Sequence, residues 1–404
     1  MTAEAPPGCP AHIPADRRRV FDYARDPKNT PTPADTYLAF RNERPFWSPV
    51  SGGFWVLTNA QAMRDAFQDP ASFSNRNIGL GYSGYPDLLI PEQLDPPDHR
   101  KYRGLLAPWF TPGVAKRLAD EIRPLCADLI DGMVAAGQGD VIDLFVGRFP
   151  QAVFLTKVLH LPLDDLDTFM RWEHAMLRHP QVPADAVAAG QELRAYLGRA
   201  IEERVVDPID GDLLSGLVHG EVDGRPVTRD EVLNIGFLLF LAGLDTVTTA
   251  LSFALLFLAQ NPEHRRQLVE NPALVPGAVE ELLRYHSFVN AVRTATHDFE
   301  FHGIPLREGD RVLSSATLAG RDPAEFPDPD TVDFGRISNR HMAFGAGPHR
   351  CLGSHLARIE MVIAIEEFHK RIPDYELLPG AEITYHAAGV MGPDVVPLRW
   401  RTDH

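Results

Sequence analysis

Phe344-Gly345-Ala346-Gly347-Pro348-His349-Arg350-Cys351-Leu352-Gly353 is the stretch on which the reading of this 404-residue chain turns. Two glycines ahead of a cysteine let the backbone close into a tight loop whose N–H groups can point at sulfur. The helical pattern that follows, from about Leu352 to Lys370, would bring the positive end of a helix dipole near the same atom. Both features favour the thiolate over the thiol. A lone intracellular cysteine is more often a small buried hydrophobe. The ten-residue context is what points to an anionic metal ligand.

Outward from that loop, the most distinctive segment is the apolar run GFLLFLAGLDTVTTALSFALLFLAQ, beginning at Gly236. By hydropathy it could span a membrane, but Asp245, Thr246, Thr248 and Thr249 sit in its middle, where a charge in lipid is expensive. A helix buried inside a large protein is the better reading. Thr228 and Glu231 form a T-x-x-E capping box at its start. Continuation to Gln260, before Asn261-Pro262, gives about 33 residues and a length of ~50 Å. Within it, Ala242-Gly243-Leu244-Asp245-Thr246 breaks the apolar pattern. Gly243 leaves room beside the backbone, and the Thr246 hydroxyl can engage a backbone carbonyl. A kink or a packing glycine would account for the same residues.

Two further segments place charges at helical spacing. Glu281 and Arg284, at i and i+3, share one helix face and can pair. In Asp95-Pro96-Pro97-Asp98-His99-Arg100-Lys101-Tyr102-Arg103, His99 and Arg103 project from the same side, as they would on any solvated basic helix end.

The rest of the chain reads as one mainly helical domain, residues 1–404, with small sheets and no linker. The first 35 or so residues are Pro-rich and expected to be irregular. Strands are expected at Phe46–Ser48 and Gly53–Leu57, with the turn at Gly52-Gly53. Apolar spacing of three and four predicts helices over Val114–Ala136, Gln151–Leu161, Ala184–Val205 and Pro276–Tyr285. Short β runs follow in FEFHGIPLREGDRVLSS, with turns at Gly303 and Gly309.

With 55 acidic against 39 basic residues the formal charge is −16, which argues against non-specific nucleic-acid binding. Cys9, Cys126 and Cys351 are too few for a disulfide framework and fit a reducing cytoplasm. The N-terminal stretch lacks the apolar core of a signal peptide. A cytoplasmic protein without membrane attachment is the expectation, with a monomer as the default.

F-G-x-G-x-H-x-C-x-G resembles the haem-ligand loop of the cytochrome P-450 family, and the other segments resemble its further motifs. The resemblance covers nearly the whole chain from about Pro45. It implies a cytochrome P-450 fold, with haem b between the long central helix and the Cys-loop helix, and Cys351 as the thiolate bound to iron. Phe344 opens the ligand loop. The D-P-P-x-H-x-x-x-R segment implies that His99 and Arg103 grip a haem propionate, and Arg293 and His349 match two more such positions. Asp245 and Thr246 resemble the family's acid–alcohol pair, implying proton delivery during oxygen activation. Glu281 and Arg284, followed by the meander-like Arg321-Asp322-Pro323 to Phe334-Gly335-Arg336, resemble a structural pair beneath the haem.

From Gly236 onward the likeness is to the camphor-hydroxylating bacterial branch, which implies a monooxygenase acting on a C–H bond of a small hydrophobic compound. The position where that branch carries a substrate-binding Tyr is Asp87 here, and Tyr85 would serve only with a shift of two residues. A site built to hydrogen-bond a group rejects analogues that lack it, so a different terpenoid or small cyclic or aromatic molecule is expected. Leu238, Leu241, Val289 and Val390 match further pocket positions. The family resemblance implies electrons from an iron–sulfur ferredoxin and an NAD(P)H-dependent reductase, and no nucleotide-binding G-x-G-x-x-G is evident in this chain. An acidic ferredoxin is expected near Arg103 and Arg350 on the Cys351 side. Two alternatives remain at this stage. A peroxide-driven enzyme would share the Cys loop but carry Arg-Pro in place of Asp245-Thr246, and a non-catalytic haem sensor would have no need of Thr246.

Overall fold

The computed structural model describes residues 9–23, 32–80, 88–178, 183–387 and 389–402. The elements that position the site are helices α1 (Asp98–Leu106), α2 (Pro112–Val134), α3 (Pro183–Val206), α4 (Arg229–Gln260), α5 (Val275–Tyr285) and α6 (Ser354–Arg371).

The apolar run beginning at Gly236 lies within α4, a helix of 32 residues. The capping box forms: Thr228 Oγ1 accepts the Glu231 N–H at 3.3 Å, and Glu231 Oε2 accepts the Thr228 N–H at 2.8 Å. Glu231 also accepts from Arg225, at 2.6 and 2.9 Å, and from the Tyr102 hydroxyl, which ties α1 to the start of α4. These partners, Arg225 foremost, hold the Glu231 carboxyl down at about 2.

Helices α3, α5 and α6 all pack against α4, and every residue from 247 to 259 is buried. It is a core helix of the protein, enclosed by other elements. The exception is a short stretch at mid-helix, where Ala242 is exposed and Leu238, Leu241, Gly243 and Thr246 are half-buried. Those positions recur at spacings of three and four, so most of them fall on one face. Away from its first turns and last residue, a helix this buried that stays accessible at mid-length borders open space there.

Gln151–Leu161, expected as a single helix, is an α-helical turn at Arg148–Val153 continued by a wider π-turn at Phe154–Val158. Apolar spacing cannot separate the two forms over so short a span. The π-turn brings the Phe154 ring against Gly243, where a Cβ would fall 2.7 Å from the ring. Gly243 is thus a packing glycine, and α4 runs past it without interruption.

Strands β1 (Phe46–Ser48), β2 (Phe54–Leu57), β3 (Phe73–Ser74), β4 (Asn290–Ala295) and β5 (Arg311–Ser315) form one sheet in the order β1-β2-β5-β4-β3. The β2–β5 pair is parallel and the others antiparallel. Gly52 and Gly53, at φ +82° and +93°, make the β1–β2 turn. The sheet has its own apolar core, beside the larger core of the helices. A small hairpin, β6 (Tyr385–Ala387) with β7 (Met391–Pro393), reaches from the sheet side to α4. The expected irregular N-terminus is cut short by a helix at Pro33–Leu38, whose cap Thr32 accepts the Asp35 N–H at 3.3 Å.

Candidate haem site

The Cys loop closes through its own backbone. Gly345 N–H donates to the Met342 carbonyl at 2.9 Å, Arg350 N–H to Gly347 at 3.1 Å, and Cys351 N–H to Phe344 at 2.9 Å. Gly345 and Gly347 adopt φ of +68° and +69°, the left-handed region in which a side chain is strained. At Gly347 space is also closed, because a Cβ would fall 2.0 Å from the Phe67 carbonyl oxygen. Helix α6 starts at Ser354 rather than Leu352, with a turn intervening. The backbone N–H that points at the sulfur belongs to Gly353, beyond the cysteine, not to the two glycines ahead of it.

Cys351 presents free surface, yet protein around it shuts out bulk water. That burial pushes its thiol pKa up, while the Gly353 N–H and the Arg103 charge pull the other way. Free surface shielded from bulk solvent is what the wall of a recess presents. Phe344 is half-buried beside it, with the Arg358 guanidinium 4.4 Å from its ring centre. Glu280 holds Arg358 in turn, at 2.5 and 2.9 Å.

Basic side chains from three elements gather near the loop. His99 of α1 and His349 of the loop bring their rings to 4.0 Å between centres. Arg293 comes from β4 with its guanidinium 4.8 Å above the Phe67 ring, and Arg103 of α1 donates to the Arg350 carbonyl. Burial, followed by the Arg103 charge, lowers His99 to about 4. His349 falls to about 3 through burial, then His99, Arg293 and Arg103. Both ring nitrogens of His99 and Nε2 of His349 are buried without a protein partner. Leaving such groups unpaired costs about 1–3 kcal/mol each. Each neutral ring has one N–H, so an anion with several acceptor oxygens would take up those donors and offset the Arg103 and Arg293 charges.

No cluster of three or more His, Cys, Asp or Glu able to hold a bare ion occurs among the described residues. A single sulfur on one side and an anion-seeking cluster on the other fit a prosthetic group that carries its own metal and its own carboxylates.

Thr246 lies on the accessible stripe of α4, its hydroxyl donating to the Ala242 carbonyl at 2.9 Å. Asp245 is buried, and its Oδ1 accepts from Thr249 Oγ1 at 3.4 Å. Leu238 and Leu241 share the Thr246 stripe, while Val289 and Val390 face one another in an isolated β-bridge. Tyr85 and Asp87 lie outside the described residues.

The family model described as Cytochrome P450 matches residues 184–371. A probable cytochrome P450 127A1 of Sinorhizobium fredii is 36% identical over 97% of this chain and 96% of its own. The mycinamicin IV hydroxylase/epoxidase of Micromonospora griseorubida is 35% identical over 76% of this chain and 79% of its own. The crystal structure of CYP101J2 superposes with a TM-score of 0.88 at 30% identity, covering 97% of this chain and 99% of that one. The chain belongs to the cytochrome P450 family. It is a monooxygenase by family, and its prosthetic group is protoporphyrin IX haem with a thiolate ligand.

In this P450 the Glu281–Arg284 pair of α5 is a structural anchor. Arg284 Nε and Nη2 bind Glu281 in a bidentate way at 2.8 and 2.7 Å, with both side chains fully buried. Arg336, Asn339 and the Asp333 N–H complete the shell around Glu281. Arg284 also reaches the carbonyls of Gly320, Pro329 and Thr331, knitting the meander to α5. Three contributors escaped the sequence reading: Phe67 under Arg293 and Gly347, Asn75 at 3.2 Å from His349 Nδ1, and Glu280 behind Arg358. Each acts across a long stretch of chain, and no local pattern marks it.

Proposed function

We propose that Cys351 supplies the thiolate to the haem iron, and that His99, Arg103, Arg293 and His349 hold the two haem carboxylates. The reaction proposed is insertion of one oxygen atom from O₂ into a C–H bond of a small hydrophobic substrate, a terpenoid or another small cyclic or aromatic compound. The observation that carries this reading is the mid-helix stripe of α4, which puts the Thr246 hydroxyl on the same accessible face as Leu238 and Leu241.

Bound haem-thiolate supplies oxygen activation, with thiolate donation favouring O–O cleavage. The other cysteines suit a ligand less well: Cys126 is fully buried in the helical core, with its thiol pushed well above the ordinary range by burial, and Cys9 is half-buried near the N-terminus. Thr246 spends its hydroxyl proton on the Ala242 carbonyl and keeps its oxygen lone pairs toward the recess, ready to accept a proton in passage. Asp245, the adjacent residue, relays protons from solvent to that hydroxyl. Leu238, Leu241, Val289 and Val390 exclude water and hold an apolar molecule. Asp245-Thr246 weighs against a peroxide-driven enzyme.

Electrons come one at a time from an acidic iron–sulfur ferredoxin and its NAD(P)H-dependent reductase, docking where Arg350 is exposed and Arg103 half-buried beside it. Function in the cytoplasm as a monomer accords with this supply.

A screen of terpenoids and small aromatics on the holoenzyme, read as the low- to high-spin shift of the haem spectrum, tests the substrate class. Product analysis with ferredoxin, reductase and NADH then fixes the reaction. Thr246→Ala should lower product formed per NADH by about 10²-fold, the low end for a positioned proton donor. Full coupling in that variant, or equal turnover with hydrogen peroxide alone, would refute the assignment.

A further inference from the structure

Asn75 follows β3 directly and is wholly buried. Asp95, just ahead of α1, holds it in place. Asp95 Oδ1 accepts the Asn75 N–H at 2.7 Å, Oδ2 accepts from the Ser74 hydroxyl, and the Asp95 carbonyl accepts the His99 N–H at 3.0 Å. One residue thus ties the end of β3 to the helix that carries His99.

The Asn75 side chain meets three neighbours through a single atom. Its Nδ2 donates to the Glu92 carbonyl, lies 2.9 Å from Glu92 Oε1 and lies 3.2 Å from His349 Nδ1. Turning the amide end for end would set its oxygen against a carbonyl and a carboxylate, and both of those only accept. Asn75 Oδ1 is buried without a partner, so nothing on that side draws the amide the other way. The group that faces His349 is therefore the NH₂, which only donates. One of its two protons serves the Glu92 oxygens and the other serves Nδ1. A proton on Nδ1, in the neutral or the charged ring, would set donor against donor at 3.2 Å. Glu92 Oε2 does not take such a proton either, being 3.9 Å from Nδ1 and beyond hydrogen-bond reach.

We propose that Asn75, oriented by the carboxylate and carbonyl of Glu92, is a positioning residue that fixes the ring proton of His349 on Nε2. The inference rests on the reading of His349 as a holder of a haem carboxylate. Nε2 is the nitrogen left buried without a partner in the protein. This tautomer gives it an N–H to offer, and a carboxylate accepts and does not donate. With the proton on Nδ1, imidazole and carboxylate would meet lone pair to lone pair. Glu92, 36% exposed at its side chain, thus acts on the haem edge from two contacts away. No covalent bond is made or broken along this chain of contacts.

The test uses the holoenzyme, Asn75→Leu, His349→Phe and the double variant. In the parent, the ¹⁵N spectrum of the diamagnetic ferrous–CO protein should show His349 protonated at Nε2 and bare at Nδ1. Haem transfer to an acceptor should quicken about tenfold in Asn75→Leu, the low end for loss of an outer-shell partner, and at least as much in His349→Phe. Adding Asn75→Leu to His349→Phe should change the rate no further, because the two act through one contact. An asparagine with only a packing role would speed haem loss in both backgrounds. A proton on Nδ1 in the parent, or rate effects that multiply in the double variant, overturns the proposal. If His349→Phe keeps haem like the parent, the reading of His349 as a haem holder fails. If His349→Phe loses haem faster and Asn75→Leu does not, only the positioning role fails. Should the variants load haem too poorly to compare, the parent spectrum, which needs no substitution, still decides.

Discussion

Two buried clusters of charge and polarity, one around Glu281 and one around His99 and His349, are built on opposite terms. Around Glu281 the carboxylate itself is fully partnered: Arg284, Arg336, Asn339 and a backbone N–H surround it, carbonyls take up further Arg284 donors, and only Asn339 Oδ1 at the edge is buried without a partner. Around His99 and His349 the donors outnumber the acceptors, and ring nitrogens are left buried without partners. A saturated cluster is complete in the bare chain and serves as scaffold. An unsatisfied one is stabilised only by something that binds. Ligand sites are recognisable by what their residues lack.

The comparison is most easily broken at its saturated end. Glu281→Gln should cost about 3–5 kcal/mol, because it strips the charge that a buried Arg284 and Arg336 depend on. That is a large share of an ordinary stability of about 5–15 kcal/mol. Chemical denaturation and the yield of haem-loaded protein would show it, and a loss within about 0.5 kcal/mol, as for an ordinary surface substitution, would contradict the scaffold role.

Arg293→Leu should behave in the opposite manner. Removing one of several crowded cations leaves the haem-free chain as stable as before or more so, while haem is held about tenfold less tightly, the low end for loss of a supporting partner. Thermal unfolding of the haem-free protein and the rate of haem transfer to an acceptor measure the two halves. Equal losses in both would erase the distinction.

A third contrast is the pH dependence. Burial alone would raise the Glu280 carboxyl, but hydrogen bonds from His341 and Arg358 outweigh it and hold the group at about 2. Its ordinary value is 4.5, so this stabilisation is whole above pH 4.5 and is lost as pH falls toward 2. His99 is a base held at about 4 against an ordinary 6.5, so the unfolded chain takes up its proton first. Stability of the haem-free protein therefore begins to fall below pH 6.5, and that decline continues to about 4. Haem carboxylates beside His99 should flatten this higher window and leave the lower one in place. Melting temperatures of both forms across pH 7 to 3 would show whether they do.

Much of this was legible in the chain. The capping box at Thr228, the length of α4 and the Glu281–Arg284 pair are local in sequence, and local chemistry fixes them. The tight loop at Gly345 and Gly347 was legible for the same reason. The donor to sulfur was not, because an N–H two residues beyond Cys351 reaches it only after a turn that delays α6 to Ser354. The π-turn at Phe154–Val158 was hidden because its apolar spacing mimics an ordinary helix. Phe67, Asn75 and Glu280 could not be anticipated, since each meets the site only through tertiary packing.

Gly347 leaves the loop no latitude. Its backbone is left-handed and its missing side chain is the space the Phe67 carbonyl occupies, whereas Gly353 has an ordinary backbone with open surroundings. Randomising the loop and selecting for haem incorporation would therefore return glycine at 347 in every survivor. Phe67 touches Gly347 through its backbone carbonyl, which any residue would keep, and Arg293 through its ring, which drift at this position would remove. An engineer reshaping the substrate pocket can vary Leu238 and Leu241 of α4 and the Val289–Val390 bridge, but has to treat the contact between Phe67 and Gly347 as fixed.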